Sequence, residues 1–533
     1  MDDWRDDPTR QDDERLYVAG PSSLIVPSAV PPAAPWPPPA APRALLSPPA
    51  LPPPRRRRSL RTVTVVVMLV AALVGVGMVL GRGASDGAGW AKAWDARVEP
   101  LARFVETHRG LTFAHPVEVD FVAESTFVED AKKSAAEDGP AGTDDAPDDP
   151  LWRALGLVPE SFDHASAASD AATGIVGLYD PSTHHIRVRG VDLTAEARTT
   201  LVHELTHALQ DQRFALDALW AKAHTNDAQL ALRAVIEGDA VVVEDEYRDQ
   251  LSDADRSAID AAEAKVTDAP ELSRVPVAID DEITFLYGAG PAFVRTVEQL
   301  GGGRSRRDQL FTVPPTNELE ILYPDQYLAG VQVTEPTRPV LQSSEKIIRN
   351  LGGAHDVGVL RWASALGQRL DARVVVKALG GWGGDTSIAF RLDGKVCVRA
   401  TVVGRTTVDT SRLGDALDAW ANAGPADAAH VDRSDAKVTL TACDGPGVAP
   451  AADAVEAPIG PFWVLAARTG LVAAESSPGD DTTLAERSCV GDKFVDLMPI
   501  EQLAADVNGE SSDAIAKPAV DQAARACGVV LSH

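Results

Sequence analysis

Residues Thr199–Gln212 read TTLVHELTHALQDQ, with histidines at 203 and 207 and Glu204 beside the first. Positions i and i+4 of a helix share one face. His203 and His207 can therefore offer two imidazoles to one Zn2+, at about 2.0–2.1 Å each. Glu204, at the neighbouring angle, would face an open coordination position and deprotonate a water there, the chemistry of the H-E-x-x-H pattern. A catalytic zinc usually takes three protein ligands. After His207 the next histidine is His224, so a carboxylate is the better third ligand. Glu237, Asp239, Glu244 and Glu246 lie on the next helical stretch. Glu237 is preferred because Val235, Ile236 and Val241–Val243 frame it, and a carboxylate in apolar surroundings needs a partner. A salt bridge with Arg233 is its competing role. Asp211, one turn beyond His207, is expected to accept the far N–H of a ligating imidazole, or else to be a surface acid. Tyr287, beside Gly288 and Gly290, is the candidate donor to an oxyanion, with core packing as the alternative.

These residues need elements to position them. GLYDPSTHHIRVRG, ending at Gly190, reads as a β-hairpin with an Asp-Pro-Ser-Thr turn. Its strand His185–Arg189 is expected to accept an extended peptide by strand addition, with His184 and His185 as turn residues. A helix follows from about Ala195, capped by Thr194 or Asp192. Asn226–Leu251 is a second long helix. DEITFLYGAGPAFVRTVEQLGG is a third, interrupted by Gly288 and Gly290. Upstream, the stretch to about Leu111 reads as an amphipathic helix, His115–Val122 as a strand and residues 134–150 as an acidic loop. From about residue 346 the pattern changes. ARVVVKALGGWGGDTSIAFRLDGKVCVRATVV reads as strands with Gly-rich turns. A helix near RLGDALDAWANA, a strand at AKVTLTACD and a helix at AVDQAARACG follow.

The chain has 533 residues and a net charge of -28, which disfavours nucleic acid as a partner, since phosphate binding needs clustered Lys and Arg. Residues Thr62–Gly81, TVTVVVMLVAALVGVGMVLG, carry no charge and as a helix would span roughly 30 Å, one bilayer core. Arg55–Arg58 and Arg61 precede them and Arg82 follows. The positive-inside rule then puts the N-terminus in the cytoplasm and residues 82–533 outside. Charge divides accordingly, +2 over residues 1–61 and -30 beyond. Residues 1–61 are Pro/Ala-rich and should be disordered, a spacer or a ligand for a cytoplasmic partner. Cys397, Cys443, Cys489 and Cys527 have no C-x-x-C spacing and suit two disulfides in an oxidising compartment. Their pairing stays open among three possibilities.

HELTHALQDQ, then ALRAVIEGDA, then FLYGAGPAFVRTVEQLGG and PPTNELEILYPDQY, with GLYDPSTHHIRV before and GWGGD after, resemble a family of bacterial membrane-anchored H-E-x-x-H zinc metallopeptidases. The resemblance covers roughly residues 88–425 and implies a zincin-like, gluzincin-type fold, with zinc on His203, His207 and Glu237 and Glu204 as base. Where the family carries a Ser-Thr-Glu-Gln run and a His, this chain has Asn317, Glu318, Leu319 and Tyr323. The expected fold is α+β. A Pro-rich tail (1–61) and one transmembrane helix (62–81) lead into a mainly helical zincin-like domain with a small sheet (82–345). A smaller α/β region with the four cysteines (346–533) completes it. The expected function is hydrolysis of peptide bonds in a peptide or protein substrate of the cell envelope. Two other functions fit the same residues: a non-catalytic envelope binding protein on a zincin scaffold, and a zinc amidohydrolase acting on cell-wall peptides. The region after 346 is either a substrate-recruiting module or packing that completes the enzyme.

Overall fold

Pro100, in the first turn, and the left-handed Gly110 bound the first helix, α1 (Glu99–Arg109); proline suits a helix start and glycine its left-handed end. Residues 90–138, 150–159, 162, 174–267, 276–301, 303–348, 356–448, 460–474, 482–507 and 513–530 are described in this computed structural model. All of them belong to one compact unit. The apolar stretch 62–81 and the Pro-rich tail lie outside the described residues. Among those described, no helix is long and apolar enough to cross a membrane.

The chain is α+β and mostly helical. Strand β1 (Glu118–Val122) is followed by α2 (Glu124–Asp138), so residues 134–138 are helical rather than part of the expected acidic loop. The hairpin β2 (Gly177–Asp180) and β3 (His185–Arg189) forms as read, and the sheet order is β1-β3-β2. β3 is therefore the middle strand, parallel to β1 and antiparallel to β2. Both its edges are taken, which corrects its expected role in binding an extended peptide.

Next come α3 (Ala195–Phe214) and α4 (Asn226–Arg248). Thr194 caps α3 by accepting from Ala197 N–H at 3.1 Å, and Thr225 caps α4 by accepting from Ala228 N–H at 3.1 Å. α3 is buried on every face from Thr199 to Gln210. One side packs with α1 and the first sheet through Leu201, Leu205 and Ile186, and α4 packs along it too. The stretch read as a broken third helix is continuous: α5 (Val277–Thr284), a π turn over Phe285–Ala289, then α6 (Gly290–Gly301). The glycines here are used for close approach. A Cβ on Gly238 of α4 would stand 2.4 Å from the Gly290 carbonyl carbon, so the two backbones meet where any side chain would push them apart.

Beyond α7 (Glu318–Leu322) and α8 (Val359–Gly367), residues Ala372–Leu379 form helix α9, where strand was expected. Its buried residues Ala372, Val375, Ala378 and Leu379 recur at helical spacing, and that period outweighs the β preference of its valines. A second sheet has the order β4-β5-β6-β8-β7, from β4 (Lys346–Ile347), β5 (Trp382–Leu392), β6 (Lys395–Gly404), β7 (Ala429–Arg433) and β8 (Val438–Cys443). Helix α10 (Thr407–Ala423) joins β6 to β7, and α11 (Pro461–Ala474), α12 (Leu484–Leu497) and α13 (Asp513–Ala526) follow. Cys397 pairs with Cys443 across β6 and β8, and Cys489 with Cys527. The expected boundary at 345/346 does not divide the interior. One buried cluster holds Ile236, Phe285 and Phe293 together with Trp362, Trp420 and Phe462.

Candidate metal centre

His203 and His207 sit on the buried middle of α3, and Glu237 reaches them from α4. The Nε2 atoms of the two imidazoles are 3.0 Å apart, and each is 3.3 Å from Glu237 Oε2. Donors about 2.0–2.1 Å from a tetrahedral ion are themselves about 3.3 Å apart. Among the described residues this is the one His/Cys/Asp/Glu group whose ligand atoms converge in that way.

The hydrogen bonds around the triad decide what those atoms are. His203 Nδ1 lies 3.0 Å from Glu244 Oε2, and His207 Nδ1 lies 3.0 Å from Gln210 Oε1. A carboxylate can only accept. The Gln210 amide is held the same way round, because its Nε2 donates to Ile236 O at 3.0 Å and to Asp239 Oδ2 at 2.7 Å. Both Nδ1 atoms thus carry a proton, and each Nε2 is the atom left to take a second proton or to face a cation. With both imidazoles neutral, two Nε2 lone pairs and a carboxylate oxygen face one another in a buried space. That is a repulsive set unless a cation stands among them, and two N and one O donor suit Zn2+.

Protons on the imidazoles are the other source of that positive charge. Burial opposes charging of the imidazoles, but Glu237 and Glu244 raise His203 well above its ordinary value and Glu237 raises His207. Burial likewise opposes ionisation of Glu237, but the protonated His207 and His203 hold it well below the usual carboxylate range. Glu244 is also lowered: burial again opposes, and His203 and Arg248 prevail. Glu204, next to the triad in sequence, is raised by burial, with partial relief from His203, His207 and a hydrogen bond from the Tyr179 backbone N–H. β2 can come this close because Gly177 has no side chain. A Cβ there would stand 2.6 Å from Thr200 Cγ2 and 3.5 Å from Glu204 Cγ.

No protein family, curated protein or solved structure matches this chain. The site is therefore read from its own geometry.

The other expected residues divide. Tyr287 does reach the site, yet its hydroxyl donates to Glu237, so it orients that carboxylate and is not free to meet an oxyanion in this arrangement. Asp211 accepts from Tyr179 Oη at 2.8 Å and from Leu216 N–H at 3.3 Å. The part expected of it falls to Gln210 and Glu244. Spacing could have shown both: Gln210 is three residues beyond His207, and Glu244 is two turns beyond Glu237. His184 ends the hairpin turn with φ 58° and stacks on Trp90, ring centres 4.0 Å apart; His185 opens β3 near Glu118 and Asp120. Neither belongs to the converging group of His203, His207 and Glu237. Behind Gln210, the fully buried Asp239 is 2.9 Å from Arg109 Nε and also paired with Arg307, and burial is outweighed by these cations in lowering its pKa.

Proposed function

We propose that the chain is a zinc-dependent metalloendopeptidase of zincin-like, gluzincin type. In this reading a helix over residues 62–81 anchors it to the membrane, and it works on the extracytoplasmic side on a peptide or protein substrate of the envelope. The observation that carries the reading is the convergence of His203 Nε2, His207 Nε2 and Glu237 Oε2 with both Nδ1 atoms already committed. His203, His207 and Glu237 would hold the ion. When bound, Zn2+ would supply Lewis acidity toward a scissile carbonyl and a lowered pKa for a water.

The chain's own residues account for the rest. Glu204 is kept basic enough to take a proton by burial, and the Tyr179 N–H fixes one side of its carboxylate. It accepts the proton of the attacking water and returns it to the leaving amine. Tyr287 fixes the Glu237 carboxylate, and Glu244 and Gln210 fix the ring planes of the histidines.

The test is metal content of the purified chain, together with cleavage of a quenched peptide library before chelation, after it and after zinc is restored. One zinc per chain and chelator-reversible cleavage are expected. A chain that binds no zinc overturns the reading. One that binds zinc but cuts only cell-wall cross-link peptides moves it to an amidohydrolase, and one that cuts nothing to a binding protein.

A further inference from the structure

Away from the metal centre, four carboxylates are buried together where the two halves of the chain meet. Each accepts hydrogen bonds at a helix start. Asp356 accepts from the N–H groups of Asn226 and Asp227, at 2.8 and 2.7 Å, at the start of α4. Asp227 accepts from Glu318 N–H at 2.6 Å, at the start of α7. Glu318 accepts from Leu360 N–H at 2.6 Å, in the first turn of α8. Asp385, the last residue of GWGGD, accepts from Val357 N–H at 2.6 Å and from the indoles of Trp362 and Trp382 at 3.0 and 3.1 Å. The Glu318 carboxylate and Asp385 meet at Gly358. A Cβ there would stand 3.0 Å from Glu318 Oε1, while Gly358 N–H points to Asp385 Oδ2 at 3.3 Å.

Helix N-termini favour negative charge, yet four carboxylates in one dry volume repel one another and lose their hydration. The other charged groups facing them are Glu282 of α5 and Arg361 of α8, which lie 3.5 Å apart. One guanidinium shared with a fifth carboxylate does not neutralise four. The four carboxylates do not offer converging ligand oxygens as the His203 triad does, so the missing positive charge is best supplied by protons.

We propose that Asp227, Glu318 and Asp385, packed with Asp356, retain protons between them and form an acid-closed joint, fastening the N-terminus of the Glu237-bearing helix α4 to α8 and the second sheet. Burial pushes Glu318 up to about 8 and Asp385 up to about 6, and holds Asp227 well above the ordinary range. A carboxyl raised in this way binds its proton more tightly folded than unfolded. Its contribution is complete below the unfolded value, roughly 4, and is lost as pH rises through the folded value. The joint therefore weakens from about neutral pH upward.

The test needs no substrate and does not depend on the metal centre. In the full chain, hydrogen exchange at the amides of Asp227, Glu318 and Leu360, corrected for intrinsic rate, should accelerate roughly tenfold to a hundredfold between about pH 6 and about pH 9. In Glu318→Gln, whose amide oxygen still accepts from Leu360, that acceleration should largely vanish. Equal acceleration in the two proteins overturns the proposal. If Glu318→Gln does not fold, an infrared pH titration of the wild-type chain decides. A buried protonated carboxyl band at about pH 6 that disappears by about pH 9 supports the joint, and its absence at the lower pH overturns it.

Discussion

At the scale of single residues, the site depends on which nitrogen of each histidine carries the proton. Gln210 sets this for His207 only because Asp239 and Ile236 O fix which end of its amide faces the ring. Gln210→Leu should therefore weaken zinc binding about 10- to 100-fold, measured by competition with a chromogenic chelator. Asp211→Asn, which touches only Tyr179, Leu216 and the His184 side, should leave zinc affinity within about twofold. Glu204→Gln should bind zinc as wild type does and lose turnover by about 100-fold or more; equal cleavage by that variant removes Glu204 from the mechanism. His203, His207 and Glu237 were legible because helical spacing and an apolar frame are local properties. The sequence does not separate Asp211 from Gln210, since both follow His207 by about one turn, and β2, a long-range partner, claims Asp211.

At the scale of elements, the triad exists because α4 lies tightly against the π turn. Gly238→Ala would drive a Cβ into the Gly290 backbone. It should cost about 1–3 kcal/mol in urea unfolding and also weaken zinc binding, since Glu237 is the adjacent residue and Tyr287 lies on that turn. Zinc affinity equal to wild type would show that α4 adjusts without moving its ligand. The sequence marked these glycines as significant but suggested a break, because a π turn and an interruption share the same composition. Capping is a local signal: of the two candidates the sequence offers, Thr194 and Asp192, Thr194 is the cap. The Val-rich α9 reads as strand because residue type and hydrophobic period point in opposite directions, and the period prevails because α9 packs on α8, α10 and α11.

At the scale of the whole molecule, the change in composition near residue 346 suggests a domain boundary. No local signal reports whether two regions share a core, and these do. Phe285, two residues from Tyr287, meets Phe462 of α11 edge to face at 6.2 Å. Ser364 Oγ donates to Asp281 at 2.6 Å, and Thr469 Oγ1 to Leu322 O at 2.8 Å. The Arg468 guanidinium lies over the Tyr323 ring at 4.0 Å, so the segment that departs from the resembled family fastens the C-terminal region. The pair Cys489–Cys527 ties α12 to the end of α13, away from the α3–α4 pair. Its replacement by serines should cost about 2–4 kcal/mol in stability while leaving zinc stoichiometry unchanged. Truncation is a harsher change. A chain ending at residue 345 would expose Phe285 and the apolar faces of α5 and α6, and would leave Asp227 and Glu318 without Asp356, Leu360 N–H or Asp385. Exposure of one large core side chain alone costs about 1.5–3 kcal/mol, against a total stability of only about 5–15 kcal/mol for a typical domain. The fragment should therefore show no cooperative unfolding transition and bind zinc weakly, by circular dichroism and chelator competition. A fragment that melts cooperatively with wild-type zinc affinity would mean that the metal centre is an independent domain after all, and that the shared core only docks it.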